Sequence, residues 1–201
     1  MSIFHLGSRR VRGFTLTEVA IVLGIVGIIL GSIWIAAAAV YRNMRINRTY
    51  EQVLILSQNI RALFGGGNTT GLPDSTNIVQ MAIKANAFPS DMVSTDAGGN
   101  THVNHVWAIP TDNTVTVYAT DMWFPRFWIE FLRTPQDVCI KMLTMLTGDK
   151  RDSTLFRVGH AEDWSDAVLV NNTAFPVNLV TATDKCSNSD TPGFYIEFGL
   201  K

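Results

Sequence analysis

The chain has 201 residues, of which 47% are hydrophobic and only 16% charged; 16 basic side chains stand against 17 acidic ones, for a net charge of −1. A balance so near zero argues against the strongly cationic surface by which proteins grip nucleic-acid phosphates. Setting aside one long apolar stretch near the N-terminus leaves enough chain for one hydrophobic core but hardly for two.

That stretch comes first in chain order. Residues 1–17 hold no acidic side chain, and Arg9, Arg10 and Arg12 stand just ahead of Gly13-Phe14-Thr15-Leu16-Thr17-Glu18. The next 23 residues, 19–41, carry no formal charge. As a helix rising about 1.5 Å per residue they span roughly 35 Å, enough to cross a bilayer core of about 30 Å. A cationic flank stays in the cytoplasm, so the C-terminal part is expected outside. A cleaved secretory signal has an apolar core of about 7–15 residues followed by a small-residue cleavage site. Here the run is longer and the alanines at 36–39 come late. A plain membrane anchor gives no reason for Glu18, because an ionisable group near hydrocarbon is costly. A twin-arginine reading of Arg9-Arg10 leaves Gly13-Phe14 unexplained.

A basic leader, Gly13-Phe14, Thr15-Leu16-Thr17-Glu18 and a long apolar helix together resemble the class III signal of type IV prepilins. The resemblance implies that a membrane-bound prepilin peptidase cuts between Gly13 and Phe14 and methylates the new amino terminus. Residues 1–13 would then be leader, and residues 14–201 a mature chain of 188 residues. Glu18 would act in assembly. Physical logic supports that role: an unpaired carboxylate among packed apolar helices carries a large desolvation penalty, and so does a free ammonium. Pairing Glu18 of one subunit with the Phe14 amine of a neighbour relieves both and sets the register between helices. The competing reading leaves Glu18 in the headgroup layer, facing water.

Beyond residue 41 the pattern becomes one-sided. Ile46, Tyr50, Val53, Leu54, Ile60, Leu63 and Phe64 recur at helical spacing, while Arg42, Arg45, Arg48, Gln52, Gln58 and Arg61 fill much of the remaining surface. No proline occurs before Pro73, so one helix is expected over 14–64, apolar in 14–41 and amphipathic in 42–64. Gly65-Gly66-Gly67 should end it. Gly24, Gly27 and Gly31 lie near one face of the apolar half. They fit either close helix packing or local helix weakness, at about 1 kcal/mol per glycine.

Residues 65–201 read as an α/β head. The Gly- and Thr-rich stretch 65–75 is a surface loop; no Lys-Ser or Lys-Thr follows it, so it does not cradle phosphate. A short helix is expected over 78–87. Strands are expected at 106–109 and 115–119 around a turn at 110–113, at 127–132, and at 194–200, where apolar and other residues alternate with period two. Thr134-Pro135-Gln136-Asp137 reads as a helix start, with Thr134 as cap and Pro135 in the first helical position. That helix carries Cys139 and stops near Gly148, while Cys186 is expected in a loop before the last strand. The arrangement resembles the disulfide-bounded region of type IV pilins, here 139–186, and implies a Cys139–Cys186 bridge on the oxidising side of the membrane. The stretch Thr-Pro-Gln-Asp-Val-Cys-Ile-Lys-Met-Leu resembles the larger, type IVb pilins, as does the mature length. The 13-residue leader and Phe14 are closer to type IVa.

No catalytic constellation stands out. His102 and His105, with Asp112 or His160 as a further ligand, have weak metal-ligand spacing, and the 102–105 segment is expected to be a solvated loop. Glu162, Asp163 and Asp166 around Trp164 lack a calcium-loop spacing. Trp123, Phe124, Phe127, Trp128 and Phe131 read as core and interface more readily than as an adhesive surface.

The expectation is therefore an α+β protein in which a long N-terminal helix, apolar then amphipathic, packs against an antiparallel sheet head. It has no cofactor, no metal and no enzymatic activity. By resemblance it is the structural subunit of a type IV pilus, anchored in the bacterial inner membrane by a single span and then built into an extracellular filament. Its partners are its own copies, the prepilin peptidase, the assembly platform and ATPase, and an outer-membrane secretin. A type II secretion pseudopilin and a single-span membrane-anchored binding protein are the rivals.

Overall fold

The computed structural model describes residues 13–65, 72, 75–109, 112–121, 124–149, 151–161, 168–169, 175–187 and 193–200. The chain divides into two compact units, with the break after Asn43. Helix α1, Leu16–Leu63, runs through both. It is one helix of 48 residues, close to the 14–64 expected. Phe64 and Gly65 form its closing turn, in which the Gly65 N–H donates to the Ala62 carbonyl at 3.2 Å. Gly65 has φ +21, a value glycine adopts at little cost. Gly66 and Gly67 lie outside the described residues.

In the first unit every residue of α1 from Leu16 to Asn43 is exposed. The second unit opens with the remainder of α1, whose buried positions are Ile46, Thr49, Gln52, Val53, Leu56, Ser57 and Ile60. The three- and four-residue spacing is that of one helix face. Ile46, Val53, Ile60 and Phe64 lie where the amphipathic pattern put them. Gln52 does not: expected on the polar surface, it is fully buried. Its amide donates to Asp91 at 3.0 Å, and Asp91 also accepts from Arg48 at 2.8 Å. A buried amide is tolerated there because a carboxylate answers it.

After α1 come β1 (Thr76–Asn77), α2 (Val79–Lys84), β2 (Val93–Thr95), β3 (Thr101–Val103), β4 (Val115–Thr120), β5 (Arg126–Leu132), α3 (Gln136–Leu146), β6 (Leu155–His160), β7 (Val168–Leu169), α4 (Leu179–Ser187) and β8 (Gly193–Gly199). Six strands make one sheet in the order β1-β4-β5-β8-β6-β7, with every neighbouring pair antiparallel, and β2-β3 form a separate hairpin. In the β5–β8 register Phe127 opposes Phe198, Ile129 opposes Ile196 and Phe131 opposes Phe194. Phe131 and Phe194 stack with centroids 4.9 Å apart. These residues share one core with Val53, Leu56 and Ile60 of α1 and with Val138, Met142 and Leu143 of α3. Each such side chain, fully buried, contributes about 1.5–3 kcal/mol of transfer free energy.

The alternate residues lie on the other face of the sheet. Tyr118 stacks on Trp128 at 5.3 Å, and Thr116 donates to Glu130 at 2.8 Å. Glu197, almost wholly buried, is held by Arg126 at 2.8 Å and Arg157 at 3.4 Å.

Three expectations are corrected. The apolar run 106–109 is not a strand. It turns tightly, the Ala108 N–H bonding to the His105 carbonyl at 3.0 Å, because the Trp107 indole reaches back to Thr49 of α1 at 2.9 Å. At α3 the cap position belongs to Pro135, whose carbonyl accepts from Val138 and Cys139 at 2.9 and 3.0 Å. Thr134 is buried and makes no cap. Cys186 lies in helix α4 rather than in a loop.

Candidate functional site

The N-terminal part of α1 combines exposure, apolarity and a single carboxylate. Among the described residues, α1 is the one helix long and apolar enough to cross a membrane by length and composition. Its most apolar 18-residue window has a mean hydropathy of 2.7, with none of it buried. Phe14 is 86% exposed. A Cβ built on Gly24, Gly27 or Gly31 would meet nothing within 4 Å, so within one chain nothing packs closely on these glycines.

The helix start is built by Thr15 and Glu18. The Thr15 hydroxyl oxygen accepts the Glu18 N–H at 3.3 Å, while the Glu18 carboxylate accepts both the Thr15 N–H and its hydroxyl at 3.0 Å. This is a reciprocal capping box: two backbone donors that the first helical turn leaves unpaired are satisfied. A hydroxyl residue three positions before a glutamate is its sequence signature, and Thr15-Leu16-Thr17-Glu18 carries it. Arg9, Arg10 and Arg12 lie outside the described residues. Gly13 and Phe14 are described, just before α1.

In the second unit Cys139 of α3 and Cys186 of α4 are joined by a disulfide, with Cα atoms 6.0 Å apart and both residues buried. Beside it Gln136 donates to Ser187 at 2.9 Å, tying the same two helices together.

The histidines do not converge. His102 pairs with Asp96 at 3.0 Å, His105 with the Leu132 carbonyl at 2.7 Å, and Asp112 with Arg133 at 2.6 Å, while His160 is buried in β6. Among the described residues no group of three or more His, Cys, Asp or Glu side chains is placed to hold a metal ion. His105 is not in a solvated loop: it is 3% exposed, and burial, aided by the charge of Arg45, pushes its pKa down to about 4 against the hydrogen bond to Leu132. Phe127 and Phe131 are core, and Trp128 is buried on the sheet's other face. Trp123 and the acidic cluster of Glu162, Asp163 and Asp166 around Trp164 lie outside the described residues.

The family described as the prokaryotic N-terminal methylation motif matches residues 8–34. The matched span covers the arginines, Gly13-Phe14, Glu18 and the apolar segment as far as Trp34. No curated protein matches the chain. Among solved structures the chain is similar to the type IV b pilin from Salmonella typhi, at 15% identity and a TM-score of 0.48, over 73% of this chain and 93% of that one. The methylation motif is thus carried on a long apolar helix that runs ahead of an antiparallel sheet.

Proposed function

We propose that this chain is the structural subunit of a type IV pilus, in the manner of the type IVb pilins. Prepilin peptidase cuts between Gly13 and Phe14 and methylates Phe14. The apolar part of α1 holds the subunit in the inner membrane and then packs among identical helices in the filament, while the head faces outward. Glu18 exchanges its intrachain partner Thr15 for the Phe14 ammonium of a neighbouring subunit. Assembly platform, ATPase and secretin complete the pathway, and the filament serves adhesion, motility or DNA transfer. The observation that carries this reading is the methylation motif at 8–34 set on a helix whose residues from Leu16 to Asn43 are all exposed. In a lone protein in water such a surface is a liability; it is what burial among lipids or sister helices requires.

Electron microscopy of cells with and without the gene tests the reading. Surface fibres that vanish with the gene and return on complementation support it. The methylation motif serves a type II secretion pseudopilin equally well, and for that protein cells would lack long fibres while the gene's loss blocks protein export.

A further inference from the structure

His105 lies at the centre of a hydrogen-bonded bracket between the 104–108 turn, the end of β5 and the first turns of α1 that pack into the head. Its Nε2 lies 2.7 Å from the Leu132 carbonyl, which has no proton to give, so Nε2 carries the hydrogen. Its Nδ1 lies 3.1 Å from the Trp107 backbone N–H, which has no lone pair to offer, so Nδ1 accepts. Both ring nitrogens are thereby committed, and the neutral tautomer with hydrogen on Nε2 is the only form that satisfies both contacts. The ring also stacks on Phe131, with centroids 5.8 Å apart.

Trp107, the residue that Nδ1 holds, is the piece that grips α1. Its indole N–H donates to the Thr49 hydroxyl at 2.9 Å, and the Arg45 guanidinium lies over its ring at 4.1 Å while also donating to the Val106 carbonyl. The charged groups on the surrounding elements offer an imidazolium no anion. Arg45 on α1 repels it. Arg48, the next cation on α1, is taken by Asp91 and Glu51. Asp112, ahead of β4, is paired with Arg133, after β5, and Asp96, beside β3, with His102. Glu130 on β5 bonds Thr116 on the opposite face of the sheet.

We propose that the 104–108 turn is an acid-released clasp. Protonation of His105 at Nδ1 sets one N–H against another at Trp107, expels the turn and frees Trp107 from Thr49 and Arg45, while the core beneath stays folded. This device rests on the head alone and is independent of the filament reading. Burial, which pushes the ring's pKa down to about 4, keeps the clasp closed at neutral pH.

The test is an NMR titration of the full-length chain in detergent micelles from about pH 7 to about pH 3, following the His105 ring, the Trp107 indole N–H and core amides such as those of Leu56 and Ile129. The expected result is a Trp107 indole transition with the same midpoint as the His105 ring. Indole hydrogen exchange should rise at least about ten-fold relative to the base-catalysed trend, with core amides still protected. In His105→Gln, whose side chain does not titrate, the Trp107 transition should disappear. The proposal is overturned if the indole signal stays flat while the ring titrates, if it changes only together with the core amides, or if His105→Gln keeps the transition. Should that variant fail to fold, the wild-type comparison of indole with core amides decides alone.

Discussion

The Glu18 carboxylate receives both the backbone N–H and the hydroxyl of Thr15 at 3.0 Å, so within a single chain this acid already has a partner. Any ion pair it makes with a neighbouring subunit must compete with that cap, which is worth about 1 kcal/mol. Two substitutions separate the roles. Glu18→Gln keeps a side-chain acceptor for Thr15 but has no charge, whereas Glu18→Ala removes both. If charge pairing drives assembly, both variants lower the yield of sheared filaments by about ten-fold or more, because losing one partner of a buried pair costs about 3 kcal/mol or more. If the cap is what matters, Gln assembles nearly as well as the wild type.

The bridge between Cys139 and Cys186 closes a loop with a sequence separation of 47. Loop-closure entropy for that length predicts a loss of about 4 kcal/mol when both cysteines are replaced by serine. Urea unfolding of the full-length chain in micelles, with and without the pair, measures it. A loss well under about 1 kcal/mol would mean that α3 and α4 hold each other without the bond.

Gly193 sits where β8 starts beside β5. A Cβ there would lie 2.7 Å from the Phe131 carbonyl oxygen and 3.0 Å from the Ala161 Cβ. The oxygen belongs to the backbone of a central strand and cannot swing away. Gly193→Ala is therefore expected to destabilise the head by about 1–3 kcal/mol, as overpacking does. Gly99→Ala, at φ +81 on the exposed β2–β3 turn with no atom within 4 Å, carries backbone strain only and should cost about 1 kcal/mol. Thermal melts of the two variants should rank in that order.

The pH dependence of head stability has a definite sign for His105. Its pKa falls from the ordinary 6.5 to about 4 on folding, so between those values the unfolded chain binds a proton that the folded one does not. The stability it contributes is present above about 6.5, is lost as pH falls towards 4, and changes no further below. The full loss is about 3 kcal/mol, and His105→Gln should flatten that part of the profile. Urea midpoints at several pH values across the window measure the slope.

Where local chemistry decides, the sequence could be read directly. Helix α1 follows from an unbroken, proline-free periodic run, and β4, β5 and β8 follow from strict alternation. Strand β6 escaped because its register shifts between Leu155 and Arg157, a bulge that breaks the period of two. The turn at 106–109 looked like a strand because its apolar side chains are consecutive; what bends it is Thr49, far away in the chain, gripping Trp107. The burial of Gln52 likewise depends on Asp91, a partner that no local pattern announces. The Cys139–Cys186 pairing came from family resemblance rather than from spacing. At the candidate site Gly13, Phe14 and Glu18 were legible as a motif, whereas the intrachain bond to Thr15 became evident only from the geometry.

The central claim is that the chain is cut after Gly13 so that a new amine can meet Glu18 of a neighbour. The most direct measurement is the intact mass of the protein recovered from sheared fibres, or from the membrane fraction, of a host that has prepilin peptidase. The account predicts a chain of residues 14–201 bearing one added methyl group on the Phe14 amine. A chain that still begins at Met1, or one cut elsewhere, would contradict it.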